Sequence, residues 1–134
     1  MYYIDSRAYA VQAFDFDAET GSITNRRRLI EFAPDPWVFP DGMTVDEDGF
    51  LWVALFGAAV VHRYSPAGAL DRLVEIPARL VTSCGFGGRD LTDLFITTAT
   101  HVLEPGEAAR QPHAGGLFRH RPNVRGQPQH AFLG

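Results

Sequence analysis

The chain has no lysine, since all twelve of its basic residues are arginine. No fold or mechanism requires that absence, so it marks composition bias and carries no functional weight. Cysteine is nearly missing as well: Cys84 is the only one, which excludes an internal disulfide and a cysteine-rich metal site. Positive charge is in short supply, with sixteen acidic residues against twelve basic and a net charge of −4. That is the wrong sign for a partner held by neutralising its phosphates, so the balance argues against nucleic acid. No apolar run approaches the roughly 18 residues of a membrane span, and residues 1–6 lack a basic flank leading into an apolar stretch. These absences predict a cytoplasmic chain with no membrane partner.

What is present fits one compact domain: 134 residues, 46% hydrophobic and 21% charged. Residues 1–50 hold ten Asp or Glu against four Arg, whereas four Arg and no acid follow Glu107. A cation would therefore belong to the first half. No window repeats apolar residues at i, i+3, i+4 and i+7 for three turns, while short apolar or alternating runs between Gly, Pro and Asp are frequent. The fold class is accordingly all-β. Strands are expected at 2–5, 10–16, 22–32, 42–45, 50–55, 59–64, 70–76, 83–86, 94–98, 116–120 and 128–133, with turns at 17–21, 46–49 and 65–68.

The strands repeat. Leu51-Trp52-Val53-Ala54 followed by Val60-Val61-His62-Arg63-Tyr64 overlays Tyr2-Tyr3-Ile4-Asp5 followed by Gln12-Ala13-Phe14-Asp15-Phe16. Leu94-Phe95-Ile96-Thr97 followed by Leu117-Phe118-Arg119-His120 meets the same template. Offsets of 49 and then 43 residues match the roughly 40 to 50 residues of a four-stranded propeller blade. The chain thus reads as a partial propeller of roughly three four-stranded blades. The first is incomplete, because Tyr2 to Asp5 matches the second strand of the template. Three blades cannot close a ring, so the remainder would have to come from elsewhere.

Four stretches go beyond architecture. They are Tyr2-Tyr3-Ile4-Asp5-Ser6 with Phe14-Asp15-Phe16-Asp17, Pro40-Asp41-Gly42-Met43 with Asp48-Gly49-Phe50-Leu51-Trp52-Val53-Ala54, Thr82-Ser83-Cys84-Gly85-Phe86-Gly87-Gly88, and Ala114-Gly115-Gly116-Leu117-Phe118. In order and spacing the chain resembles the C-terminal half of the SMP-30/gluconolactonase/regucalcin (LRE-like) family. The resemblance implies a six-bladed β-propeller with one divalent cation at the top of its central channel, calcium or zinc, with magnesium or manganese as alternatives. It implies hydrolysis of an aldonolactone such as gluconolactone by metal-activated water. Of the family's three protein ligands, a Glu, an Asn and the Asp of Pro-Asp-Gly-Met, only the last is here, as Asp41. The others are expected upstream of Met1, in a missing N-terminal half also needed to close the ring.

Ester hydrolysis at neutral pH needs a polarised carbonyl and a nucleophilic water, and a bound cation supplies both without a serine nucleophile. A carboxylate at the mouth of the channel, followed by a glycine that lets the backbone turn tightly, suits a combined role as metal ligand and general base. Asp41 is therefore the candidate catalytic residue and the candidate metal ligand. By residue type alone, Pro40-Asp41-Gly42 is a turn signal. One carboxylate also falls far short of the six to eight oxygens calcium takes, so this chain by itself is expected to bind metal weakly or not at all. Laying the third unit on the second puts Thr82 in Asp41's place, as a substrate-pocket candidate or as a buried hydroxyl bonded to backbone.

Other signals have ordinary explanations. Asp46-Glu47-Asp48-Gly49 has Leu55 where a calcium loop wants Glu, and reads as a hairpin turn. Arg26-Arg27-Arg28 reads as an exposed outer strand that discourages edge pairing. Gly85-Phe86-Gly87-Gly88 lacks a following helix to bind phosphate. The five histidines show no short-range ligand pair, and Cys84 reads as core. Tyr9 to Phe16 and the Trp52 segment supply packing between blades. Residues 99–114 form a lid or rim, and Phe56-Gly57-Ala58-Ala59 departs from the glycine-richer run of bacterial-looking relatives. The leading function is the C-terminal portion of a metal-dependent sugar lactonase acting on a small-molecule lactone, with an organophosphate as another ester substrate. The alternatives are a non-catalytic propeller binding module and an inactive truncated fragment.

Overall fold

A computed structural model describes residues 1–128. Among them ten strands form three antiparallel sheets in chain order. The first contains β1 (Tyr2–Asp5), β2 (Ala10–Phe16) and β3 (Ile23–Glu31). The second contains β4 (Phe39–Val45), β5 (Leu51–Phe56), β6 (Val60–Tyr64) and β7 (Leu70–Glu75). The third contains β8 (Val81–Gly87), β9 (Asp93–Thr98) and β10 (Leu117–His120). Each sheet is a meander whose neighbours in sequence are neighbours in space. The all-β expectation and its first ten strands stand; the eleventh, 128–133, lies outside the described residues apart from Pro128. No described helix is long and apolar enough to cross a membrane.

The sheets stack face to face, and β5 shows why. All six of its residues are buried. Leu51, Val53 and Leu55 pack with Val11, Ile30, Val60 and Tyr64, against the first sheet. Trp52 and Ala54 point the other way, into a cluster with Val81, Cys84, Phe86, Leu94 and Ile96 of the third. A strand covered on both faces must be apolar at every position, which is why this run shows no alternation. Each large side chain so buried contributes about 1.5–3 kcal/mol. Trp52 meets Phe86 edge-on, with ring centres 5.9 Å apart and planes at 85°, an arrangement aromatic pairs favour.

The repeat extends to the backbone. Tyr9 and Ala59, each just before the strand that follows the β1–β2 and β5–β6 connections, have left-handed φ values of 52° and 58°. The first strands of the second and third sheets carry register shifts at matching places, between Pro40 and Met43 in β4 and between Val81 and Ser83 in β8.

The Asp46 turn is a clasp. Asp46 is completely buried, and its Oδ1 accepts the backbone N–H groups of Asp48 at 3.1 Å and Phe50 at 2.9 Å. Its Oδ2 accepts Trp52 Nε1 at 2.9 Å and Arg63 Nε at 2.8 Å. Arg63 also reaches Asp48 at 3.2 Å and Asp71 at 2.9 Å and lies 3.8 Å over the Phe50 ring. Both carboxylate oxygens are committed to N–H donors, which confirms a hairpin device rather than a calcium loop. The basic run on β3 is likewise engaged: Arg26 donates to Gln12, Arg27 pairs with Asp15 at 2.9 Å and Arg28 donates to Ala8 O at 2.8 Å.

Candidate active site

Asp41 is not in a turn. β4 begins at Phe39, three residues before the expected start, so Pro40, Asp41 and Gly42 belong to a strand. Pro40 faces Leu55 and Met43 faces Val53; β4 therefore spends one residue more than β5 over this interval, a bulge that includes Asp41 and Gly42. Bulges re-aim side chains without ending a sheet, which explains how a turn-like tripeptide fits a strand. β4 is the first strand of its sheet and lies against both β1 and β8 of the neighbouring sheets.

The role expected of Gly42 also changes. Its φ lies outside the left-handed region, so the glycine serves no tight turn. A Cβ there would sit 2.1 Å from Ser83 Oγ and 2.7 Å from Ser83 Cα. The absence of a side chain is what lets β4 and β8 meet at this level. The contact brings Asp41-Gly42 beside Thr82-Ser83, as the repeat implied. Ser83 itself was passed over in sequence, because nothing local distinguishes a serine pressed on a glycine from one in solvent.

The Asp41 carboxyl is half-buried and makes no hydrogen bond or ion pair with any described residue. Burial raises its pKa from the ordinary carboxylate value, because desolvation disfavours the charged form and no donor offsets it. Thr82 occupies the bulge of β8, also half-buried. Its hydroxyl pairs with Thr97 Oγ1 at 2.8 Å, so its partner is a side chain and not the backbone expected of a buried hydroxyl.

The same end of the sheets carries an aromatic rim. Phe39 stacks on Phe56, with ring centres 4.8 Å apart and planes within 12°, and His101 tilts over Phe56 at 6.0 Å. Trp37 is 60% exposed, while its carbonyl lies so close to Gly57 that a Cβ there would be 1.8 Å away. Residues 99–114 are tethered to the β7–β8 connection: Arg79 pairs with Glu107 at 2.5 Å and the Arg79 N–H donates to Gln111 Oε1 at 2.7 Å.

The described residues include no group of three or more His, Cys, Asp or Glu that could hold a metal ion. Asp41 has the free lone pairs a cation ligand needs, but it supplies one ligand and not a set. His62 Nδ1 bonds the Tyr64 hydroxyl at 2.9 Å, and burial lowers its pKa. Cys84 is buried core with its pKa pushed up to about 12 by burial, which keeps the thiol protonated and unreactive. His130 lies outside the described residues.

The profile described as SMP-30/Gluconolactonase/LRE-like region matches residues 1–100. The chain belongs to this family. Regucalcin of Oryctolagus cuniculus is 42% identical over 135 residues, covering 99% of this chain and 45% of the relative. A Bacillus subtilis protein named "Putative sugar lactone lactonase YvrE" is 40% identical, covering 100% of this chain and 46% of that one. The solved structure of a calcium-binding protein, regucalcin, from Agrobacterium tumefaciens superimposes with a TM-score of 0.85 at 26% identity, covering 94% of this chain and 43% of that one. The chain thus spans a little under half the length of these SMP-30/gluconolactonase relatives, and its three stacked sheets share their propeller-like arrangement.

Proposed function

We propose that the chain forms one sector of a six-bladed propeller hydrolase that opens sugar lactones, with Asp41 as ligand to a divalent cation and as general base. One observation carries this reading: a half-buried, unpartnered carboxylate sits on a strand bulge in a chain 40% identical to a protein named as a sugar lactone lactonase. The remaining ligands come from polypeptide beyond this chain, which spans less than half of its relatives. Calcium is the favoured ion, in keeping with the calcium-binding description of the Agrobacterium relative. When bound, such a cation polarises the lactone carbonyl and acidifies a water.

Asp41 accepts the proton from the attacking water. Thr82, on the corresponding bulge of β8, lines the pocket beside it. The partner is a small-molecule lactone, with neither nucleic acid nor membrane involved. The test is lactone turnover by the full-length polypeptide in a pH-stat, with gluconolactone as first substrate and with calcium added or chelated. Asp41→Asn should lower turnover by about 10²–10⁴-fold, the range of general acid–base catalysis, with an unchanged circular dichroism spectrum. Unaltered turnover in that variant would overturn the assignment.

A further inference from the structure

A cavity of about 320 Å³ lies between the β1–β2 connection and the lead-in to β4, lined by Ser6, Arg7, Tyr9, Pro36 and Phe39. The volume sits at the small end for ligand pockets. Its walls are fixed from both sides. Residues Ser6–Ala8 form a 3-10 turn whose Arg7 and Ala8 N–H groups are capped by Asp5 Oδ1 at 3.1 and 3.2 Å. Opposite, Asp35 Oδ1 caps Trp37 and Val38 at 2.7 and 3.0 Å, and the Tyr9 hydroxyl donates to Asp35 O at 2.9 Å. The turn packs on β4 itself, and Phe39 lies two residues from Asp41, about 7 Å along a strand.

Within this frame Arg7 stands out. The guanidiniums of Arg26, Arg27, Arg28, Arg63, Arg72, Arg79 and Arg121 have protein partners, and Arg89, Arg110 and Arg125, which like Arg7 have none among the described residues, line no part of this cavity. The Arg7 side chain is exposed, lines the cavity and makes no hydrogen bond or ion pair with a described residue. A guanidinium left free beside a hydroxyl and an aromatic wall is the chemistry that selects a carboxylate on a small ring: the fork binds the two oxygens and the ring lies on Phe39.

We propose that this cavity receives the carboxylate of an acidic sugar lactone, such as a lactone of an aldaric acid, and that Arg7 sets that preference. The inference rests on the lactonase reading for its substrate class, while the carboxylate site itself does not.

The experiment uses the full-length polypeptide and two readouts. Binding of D-glucarate, a dicarboxylate probe, is followed by calorimetry and by the fluorescence of Trp37, adjacent to the cavity wall at Pro36. Arg7→Gln should weaken glucarate binding at least tenfold, and Arg7→Lys should restore part of it. In turnover, Arg7→Gln should raise KM for glucarolactone by a similar factor, leaving kcat and the KM for neutral gluconolactone unchanged. Equal glucarate affinity in wild type and Arg7→Gln, or the same KM change for neutral and acidic lactones, would overturn the proposal. Arg7-dependent glucarate binding in a protein with no lactone turnover would support the cavity assignment while sinking the hydrolase reading.

Discussion

Gly42 and Ser83, forty-one positions apart in the chain, touch so closely that a methyl group on Gly42 would overlap the Ser83 backbone and its hydroxyl. Their contact sets the spacing between the first strands of two sheets, at the level of Asp41 and Thr82.

Gly42→Ala must push β8 away from β4, and overpacking of this kind costs about 1–3 kcal/mol. The urea midpoint should fall accordingly. Ser83→Gly in the same chain should recover part of the loss by removing the Oγ and Cβ that the new methyl meets. If the single variant unfolds at the wild-type midpoint, the close approach is not a constraint.

The Asp46–Arg63 pair, 2.7 Å between Oδ2 and a guanidinium nitrogen and nearly inaccessible to solvent, should be much more sensitive. Asp46→Ala leaves a buried guanidinium and an indole N–H short of an acceptor, and breaking a buried pair from one side costs about 3–5 kcal/mol. Thermal unfolding should show Asp46→Ala as far more damaging than Glu47→Ala, one residue away on the exposed side of the same turn. Similar effects for the two would refute the clasp.

Ala59 is held at φ 58°, where an L side chain crowds the following carbonyl. Ala59→Gly removes that cost and should raise stability by about 1 kcal/mol, even after glycine's greater entropy in the unfolded chain. The same change is not expected at Ala58, which is outside the left-handed set. A fall in melting temperature for Ala59→Gly would contradict this account of the turn.

Asp41 links pH to the stability of the cation-free protein. Its folded pKa lies above the unfolded one because burial disfavours the charge, so the folded state binds this proton more tightly. The associated cost is absent below the unfolded carboxylate value, grows as pH rises between the two, and is fully present above the folded pKa. Asp41→Asn should therefore stabilise the cation-free protein at neutral pH even though it lowers turnover. Lower stability of Asp41→Asn at neutral pH, measured with chelator present, would show that the carboxylate has a favourable partner after all.

The strands, their repeat and the family were legible in sequence because they depend on local order: apolar runs bounded by Gly, Pro and Asp, recurring at 49 and 43 residues. Even the equivalence of Asp41 and Thr82 followed from overlaying units, and both occupy bulges. Local chemistry misled where a bulge resembles a turn, since Pro40-Asp41-Gly42 carries turn residues yet lies within β4. What only the tertiary structure decided was contact between distant segments. Whether Asp41 has a donor, what Gly42 leaves room for, and which arginines remain unpaired depend on neighbours brought close by the stacking of sheets. Residue type fixes what a side chain can do, while burial and the company of distant strands fix what it is free to do.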